Sequence, residues 1–256
     1  MNKWPRISII TPSYNQAAFI EQTIKSVVNQ KYPNLEYFIM DGGSIDGSVD
    51  IIKNYAHKYP DIIKWQSKKD KGQVDAINQA LDKASGDIIA YLNSDDCYLP
   101  DAFNQVVKFF RENPKVLWVV GNCKITDSKL KWTFTVKHFW PIDKIKSLLY
   151  FFNWVNQPAV FLQKKLVEKV GNFDMSYHYA FDYDYWLRCL DSCLPGRLHK
   201  NLATFRIHQS SKGNTGYIKQ FQEDQTVVRK YTNNPLLLLG HYINTKLVFL
   251  NYRFLK

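Results

Sequence analysis

Four short apolar runs in the first hundred residues each stop at a polar turn, and helix-patterned segments separate them. The runs are ISIIT (7–11), LEYFIM (35–40), IIKWQ (62–66) and DIIAYLN (87–93). Continuous apolar runs of this length suit strands buried on both faces. Between the first two, SYNQAAFIEQTIKSVVNQ places Phe19, Ile20, Ile24, Val27 and Val28 on one helical face, and SVDIIKNYAHKY and GQVDAINQALDKA follow as further helices. Strand–helix–strand at this spacing predicts an α/β fold: a Rossmann-like, mostly parallel sheet flanked by helices, with right-handed crossovers. Ligands of such sheets bind beyond the carboxyl ends of the strands. The turns TPSYN, DGGSIDGS, SKKDKGQ and NSDD all fall there.

The second half is less regular. Residues 102–112 read as a helix and 116–122 as a strand. Segment 123–140, with Lys124, Lys129, Lys131 and Lys137 among Thr and aromatic residues, reads as strands or a hairpin on a basic surface. QPAVFLQ reads as a strand, DYDYWLRCL as a helix with Trp186, Leu187 and Leu190 on its apolar face, and GRLHKNLATFRIH as late strand structure. No repeat or Gly/Ser linker divides residues 1–215, so one domain is expected there, followed by a helical extension over 216–256. The extension ends NPLLLLGHYINTKLVFLNYRFLK, where His241, Asn244, Lys246 and Asn251 interrupt the apolar residues. A spanning helix needs about 20 predominantly apolar residues. Two readings remain: a helix packed on the domain or on another copy of the chain, or one lying in a membrane interface with Lys246, Arg253 and Lys256 facing lipid.

A net charge of +11 favours anionic partners such as nucleotide phosphates or an acidic lipid surface. Nucleic acid is not expected, because the basic residues are dispersed and neither zinc spacing nor an RNA-binding signature is present. Cys97, Cys123, Cys189 and Cys193 form no CxxC pair and read as free thiols of a reducing compartment. The N-terminus enters a strand without the apolar core of an export signal, so a cytoplasmic location, or the inner face of the cell membrane, is expected.

Asp95 and Asp96 follow the fourth run directly. Adjacent carboxylates raise each other's pKa unless positive charge stands between them. Hard carboxylate oxygens suit Mg²⁺ or Mn²⁺ held jointly with substrate phosphates; alone, Ser94-Asp95-Asp96 reads better as a solvated helix-cap turn before Pro100. Asp41, with Gly42 and Gly43, offers an acceptor to a base N–H, while Asp46 reads better as a helix cap. Thr11, Pro12 and Tyr14 occupy the first strand's exit, where Tyr14 could stack on a base.

Together, ISIITPSYNQAAFIEQTIKSVVNQ, DGGSIDGS, KDKGQVDAINQAL, GDIIAYLNSDD and FDYDYWLRC, in this order, resemble the family 2 glycosyltransferases of GT-A fold, over roughly residues 6–210. NQPAVFLQKKLVEKVGNFD and FRIHQSSKG further resemble the subgroup that decorates bacterial polysaccharides. The resemblance implies an inverting enzyme dependent on Mn²⁺ or Mg²⁺. It would move a sugar from a nucleotide-sugar donor, a UDP-sugar being favoured, to a saccharide or lipid-linked acceptor. Residues 1–100 would form the nucleotide-sugar half and 101–215 the acceptor half. Asp41 looks like the base-recognition residue, and Asp96 and Asp95 look like the metal-binding DxD-type motif. Lys71 and Gly72 would border the donor. Asp182 matches the general base of the family's "ED" motif, with Asp184 the second choice; Phe181 stands where the motif has its other acid. Beside these, Arg206 could pair with the diphosphate, His208 could complete the metal shell, and Gln157 and Pro158 could floor the acceptor pocket. A competing expectation, suggested by Phe181, is a catalytically inactive sugar- or nucleotide-binding protein on the same fold.

Overall fold

The computed structural model of the chain describes residues 4–137, 144–209, 211–212 and 216–254, and of Ile145 and 248–254 only the backbone. The end of the 123–140 segment, the junction at 215, Lys256 and the side chain of Arg253 lie outside the described residues.

Strands β1 (Ile7–Ser13), β2 (Leu35–Asp41), β3 (Ile63–Ser67) and β4 (Ile88–Tyr91) alternate with helices α1 (Ile20–Val28), α2 (Ser48–Lys58) and α3 (Gln73–Leu81). They pair in the order β3-β2-β1-β4, all parallel, with Ile7 opposite both Leu35 and Ile88. Successive side chains of a strand face opposite layers, and both layers here are apolar. Ile7, Ile9, Tyr37 and Ile39 face α1, α2 and α4 (Ala102–Glu112), whereas Ile10, Phe38, Met40 and Tyr91 face α3 and the helices of the second half. At the amino ends of these strands Glu36 is buried and ties β2 to β1, to β3 and to the connection into β4. It accepts from the Ser8 hydroxyl (2.5 Å), the Ser85 N–H (2.6 Å) and Lys64 (3.1 Å).

The remaining strands are β5 (Cys97–Tyr98), β6 (Trp118–Thr126), β7 (Trp132–Val136), β8 (Val160–Gln163) and β9 (Gly196–Arg206). Here the mostly parallel expectation changes. The sheet continues β4-β8-β6-β9-β5, with β7 on β6. Strand β8 runs antiparallel to both neighbours, as do β5 to β9 and β7 to β6; β6 and β9 alone among these pairs are parallel. The physical reason is that an apolar run carries no direction. A parallel partner needs a crossover, whereas β8 enters from a 3₁₀ turn at Gln157–Ala159 after α5 (Ile145–Phe151).

Helices α6 (Lys164–Val170), α7 (Phe181–Ser192) and α8 (Tyr217–Tyr231) contribute to the second apolar layer, where Trp186 stacks on Trp118 at 6.0 Å. The final helix α9 (Pro235–Phe254) packs on α5 and α8, with His241 buried and its Nδ1 3.1 Å from the Tyr150 carbonyl. Its outer face leaves Leu236, Leu239, Ile243 and Leu247 exposed at helical spacing. Among the described residues no helix is long and apolar enough to cross a membrane.

Candidate active site

The turn after β4 is held from two sides. The Thr23 hydroxyl of α1 lies 2.9 Å from the Ser94 carbonyl and 2.8 Å from that of Asp96, and the Asp96 N–H donates to the Asn93 carbonyl (3.1 Å). These contacts turn the Asp96 side chain inward, where it is 1% exposed. Its Oδ1 accepts the backbone N–H of Arg206 (2.8 Å), while Oδ2 is buried with no hydrogen-bond partner. Burial, then the neighbouring Asp95 carboxylate, push the Asp96 pKa well above the ordinary range; the Arg206 N–H, the Arg206 charge and the Asn93 side chain oppose them. Asp95 stays partly accessible, its Oδ2 2.9 Å from Nε2 of His208, whose ring packs on Phe19 at 4.3 Å. Arg206 is 1% exposed. Its guanidinium donates to Gln22 (2.8 Å) and the Ser128 carbonyl (3.2 Å) and lies over the Phe19 ring. These contacts set Arg206 beneath the carboxylates.

The other turns of the parallel half lie alongside. Thr11 and Pro12 are buried, and the Thr11 hydroxyl accepts from Tyr37 (2.9 Å), whereas Tyr14 is exposed. Asp41 Oδ2 accepts from Gly43 N–H, Ser44 N–H and the Ser67 hydroxyl (3.0, 2.9 and 2.7 Å); Oδ1 accepts from the Ser44 hydroxyl (2.5 Å). Asp46 takes N–H groups from Ala17 (2.9 Å) and Ser48 (3.0 Å), so it ties two turns together as well as capping. Lys71 is exposed, and Gly72 takes φ +109°, which a side chain would strain. Asp70, passed over in the sequence between Lys69 and Lys71, points its carboxylate at Gly42, where a Cβ would meet it at 3.1 Å. Burial raises its pKa, the Gly72 N–H opposes, and Asp75 and Asp41 add to the rise.

Across the cleft, α7 begins at Phe181, and the structure separates its two aspartates. Asp184 is fully buried and saturated by Arg188 (2.8 Å), Lys230 (3.1 Å) and the Tyr231 hydroxyl (2.7 Å). Asp182 keeps some accessibility, although protein surrounds its carboxylate. It accepts the Tyr183 N–H (2.7 Å), and burial pushes its pKa up to about 6. Phe181 is buried against Phe173 (5.8 Å) and Tyr91 (6.2 Å), because position 181 faces the core. Tyr91, buried at the end of β4, feels the charges of both Asp182 and Asp96, so both carboxylates lie near this one side chain.

A chain of amides joins the two sides. Lys212 donates to Gln73 Oε1 (3.0 Å), Gln73 to Asn93 Oδ1 (2.8 Å), Asn93 to Gln157 Oε1 (3.2 Å), and Gln157 to the Tyr91 carbonyl (2.6 Å). Gln157 and Pro158 are buried, and Gln157 is the last side chain of this hydrogen-bonded series. Sequence reasoning missed Gln73, Asn93 and Lys212. Each sits inside a quoted motif, and only side-chain direction reveals its place.

The described residues that match known proteins form most of the chain. The family model described as "Glycosyl transferase family 2" matches residues 8–170. An uncharacterized glycosyltransferase of Mycobacterium tuberculosis is 30% identical over 215 residues, covering 80% of this chain and 76% of that protein. A PGL/p-HBAD biosynthesis glycosyltransferase of Mycobacterium bovis is 28% identical over 189 residues, 73% of this chain and 71% of its own length. Among solved structures, S. aureus TarS 1–349 in complex with UDP-GlcNAc superposes with a TM-score of 0.72 at 15% identity, covering 95% of this chain and 73% of that one. The mannosyltransferase PcManGT of Pyrobaculum calidifontis, in complex with GDP-Man and Mn²⁺, gives 0.68 at 20% identity, with 93% and 69% covered. At these identities the structural likenesses bear on the fold alone. The family match spans well over half of the chain, and the sheet and its carboxyl-end turns agree with it: the protein is a glycosyltransferase enzyme on a GT-A-like fold and belongs to glycosyl transferase family 2.

Proposed function

We propose that the enzyme transfers a sugar, with inversion, from a UDP-sugar to a saccharide or lipid-linked saccharide in polysaccharide biosynthesis. The observation that carries this reading is the buried, unpartnered Oδ2 of Asp96 beside Asp95 and His208. An orphaned carboxylate oxygen in a dry site is costly unless a cation or proton meets it. Oxygen-rich donor sets suit Mn²⁺ or Mg²⁺. Among the described residues no three His, Cys, Asp or Glu side chains are grouped to enclose a metal. An ion here would therefore be held by Asp96 and Asp95 alone, with His208 bonded to Asp95, and would take its other ligands from water and the donor's phosphates. When bound, such an ion neutralises charge on the leaving diphosphate.

The chain's own residues would do the rest. Asp41, 2% exposed, would meet a base N–H at Oδ1, which now accepts from the Ser44 hydroxyl, and exposed Tyr14 would offer a flat surface to the base. Lys71 and Gly72 would border the donor from the next turn. Asp182 would take the proton from the acceptor hydroxyl as its oxygen bonds to the anomeric carbon and the bond to the diphosphate breaks. A carboxylate with a pKa of about 6 is ionised at neutral pH, yet basic enough to help. TarS was solved with UDP-GlcNAc and PcManGT with GDP-Man, so both bases belong in the test. A panel of nucleotide sugars with Mn²⁺ should contain one that raises the melting temperature, since a ligand of the folded state stabilises it. That donor plus an acceptor glycan should release free nucleoside diphosphate. Binding without release under any acceptor would instead favour the inactive binding protein.

The exposed stripe of α9 is proposed to rest on an anionic lipid surface, where the chain's net charge of +11 assists. Replacing Leu239 and Ile243 with Glu should abolish co-sedimentation with phosphatidylglycerol vesicles and leave turnover on a soluble acceptor unchanged. If instead the wild type ignores vesicles and the substitutions split a dimer, the stripe is an interface between copies of the chain.

A further inference from the structure

Two charged side chains from beyond the family-matched segment converge on the start of α7. Glu223, on α8, accepts the backbone N–H groups of His178 (3.2 Å), Tyr179 (2.6 Å) and Ala180 (2.9 Å). No side chain at Ala180 itself caps that helix; Glu223 instead fixes Ala180 and the two residues that lead into it. Lys212 stands on the connection between β9 and α8. Its ammonium donates to Gln73 and to the His178 carbonyl, and lies 5.4 Å from the ring centroid of Phe181 and 5.1 Å from that of Tyr179. These two acceptors are neutral, so the compensating negative charge comes from carboxylates nearby. Asp182 and Glu223 fill that role and hold up a lysine pKa that burial pulls down to about 8.

We propose that Lys212 is a positioning residue for sugar transfer: laid across Phe181 and anchored to Gln73 and the His178 carbonyl, its ammonium keeps Asp182 in the ionised, proton-accepting form. The proposal rests on the reading of Asp182 as the base. The groups facing Asp182 can be taken element by element. From β4 comes Tyr91, whose hydroxyl burial keeps neutral. From α8 come Glu223, engaged with three N–H groups, and Asp224, whose pKa burial and then the charges of Asp182 and Glu223 push well up. From α7 itself comes the Tyr183 N–H. The cation in this set is Lys212, laid over the neighbouring Phe181 ring; its charge lowers the Asp182 pKa, after the Tyr183 N–H. The same ammonium begins the amide chain through Gln73 and Asn93 to Gln157, so it ties the base to the turn that carries Asp95 and Asp96.

The test reads Asp182 directly, without substrate. In protein labelled with ¹³C at the aspartate side-chain carboxyl, the Asp182 signal is assigned by its loss in Asp182→Asn. Lys212→Met should move its titration midpoint up by about one pH unit, the low end of what an adjacent opposite charge does. Lys212→Arg should restore it. In nucleoside diphosphate release from the donor found in the panel, Lys212→Met should then lose up to about tenfold at pH 6 and less than about twofold at pH 8. A purely structural role would lower activity evenly across pH. An unmoved midpoint in Lys212→Met, or in Lys212→Gln should the Met variant fail to fold, overturns the proposal. Undiminished turnover in Asp182→Asn would fault the base reading instead.

Discussion

Asp182→Asn is expected to lower turnover roughly 10³-fold, about 4 kcal/mol of transition-state stabilisation, while donor binding changes by less than about twofold. Asparagine keeps the size of the side chain, and its carbonyl can still accept the Tyr183 N–H now bonded at 2.7 Å. What is lost is the proton acceptor. The substitution carries a second signature, in stability. Burial raises the Asp182 pKa from 3.8 to about 6 in the folded chain. A raised acid contributes stability that is full below the unfolded pKa and is lost as pH rises through the folded one. Ionised Asp182 therefore costs the wild type up to about 3 kcal/mol above pH 6, an upper bound because solvent reaches part of the group. The Asn variant should melt several degrees higher than wild type at pH 7.5 and at the same temperature near pH 4. A variant that loses donor binding yet turns over bound donor at the wild-type rate would remove Asp182 from the chemistry.

Asp96→Ala should abolish divalent-dependent transfer and strip the protein of metal-assisted nucleotide binding. Because Asp96 Oδ1 also holds the Arg206 backbone N–H, alanine leaves that donor unpaired, and some of its effect will be lost stability. Asp96→Asn separates the two, since an amide oxygen can keep the bond while the negative charge is gone. Wild type with Mn²⁺ and a donor at about one hundred times its dissociation constant should gain about 2.7 kcal/mol, which is roughly 5–10 °C for a chain of this size. Asp96→Asn should show almost none of this shift. An equal shift in the variant, or full wild-type turnover in excess chelator, would sink the metal assignment.

Much of the first half could be read without coordinates. The runs at 7–11, 35–40, 62–66 and 87–93 became β1 to β4, and their turns meet at one edge because parallel strands all end on the same side. The second half could not be read to the same depth. β8 and β6 are largely buried like β1, and β9 is more polar, but nothing in such runs says which neighbour each pairs with or in which direction. The site shows the same division. Asp95, Asp96 and Asp182 are ordered motif residues and were singled out as such. Whether Asp182 or Asp184 is available to a substrate depends on which way one helical turn faces. Asp184 turns inward to Arg188, Lys230 and Tyr231, so it is spent on holding α7 to α8.

Arg206 makes the point from the other direction. As a sequence residue beside His208 it reads as a phosphate ligand, since guanidinium groups favour that task. In the fold its guanidinium lies beneath the paired carboxylates, held by Gln22, Ser128 and Phe19, residues distant in the chain. The chain by itself determined the parallel half-sheet, the edge where its turns collect and the acidic residues placed there, because periodicity and turn chemistry are local. Only the tertiary structure decided which carboxylate stays accessible, which is locked in an ion pair, and that Lys212 and Glu223 reach the start of α7. Those outcomes depend on burial and on contacts between distant segments, and no local pattern encodes either.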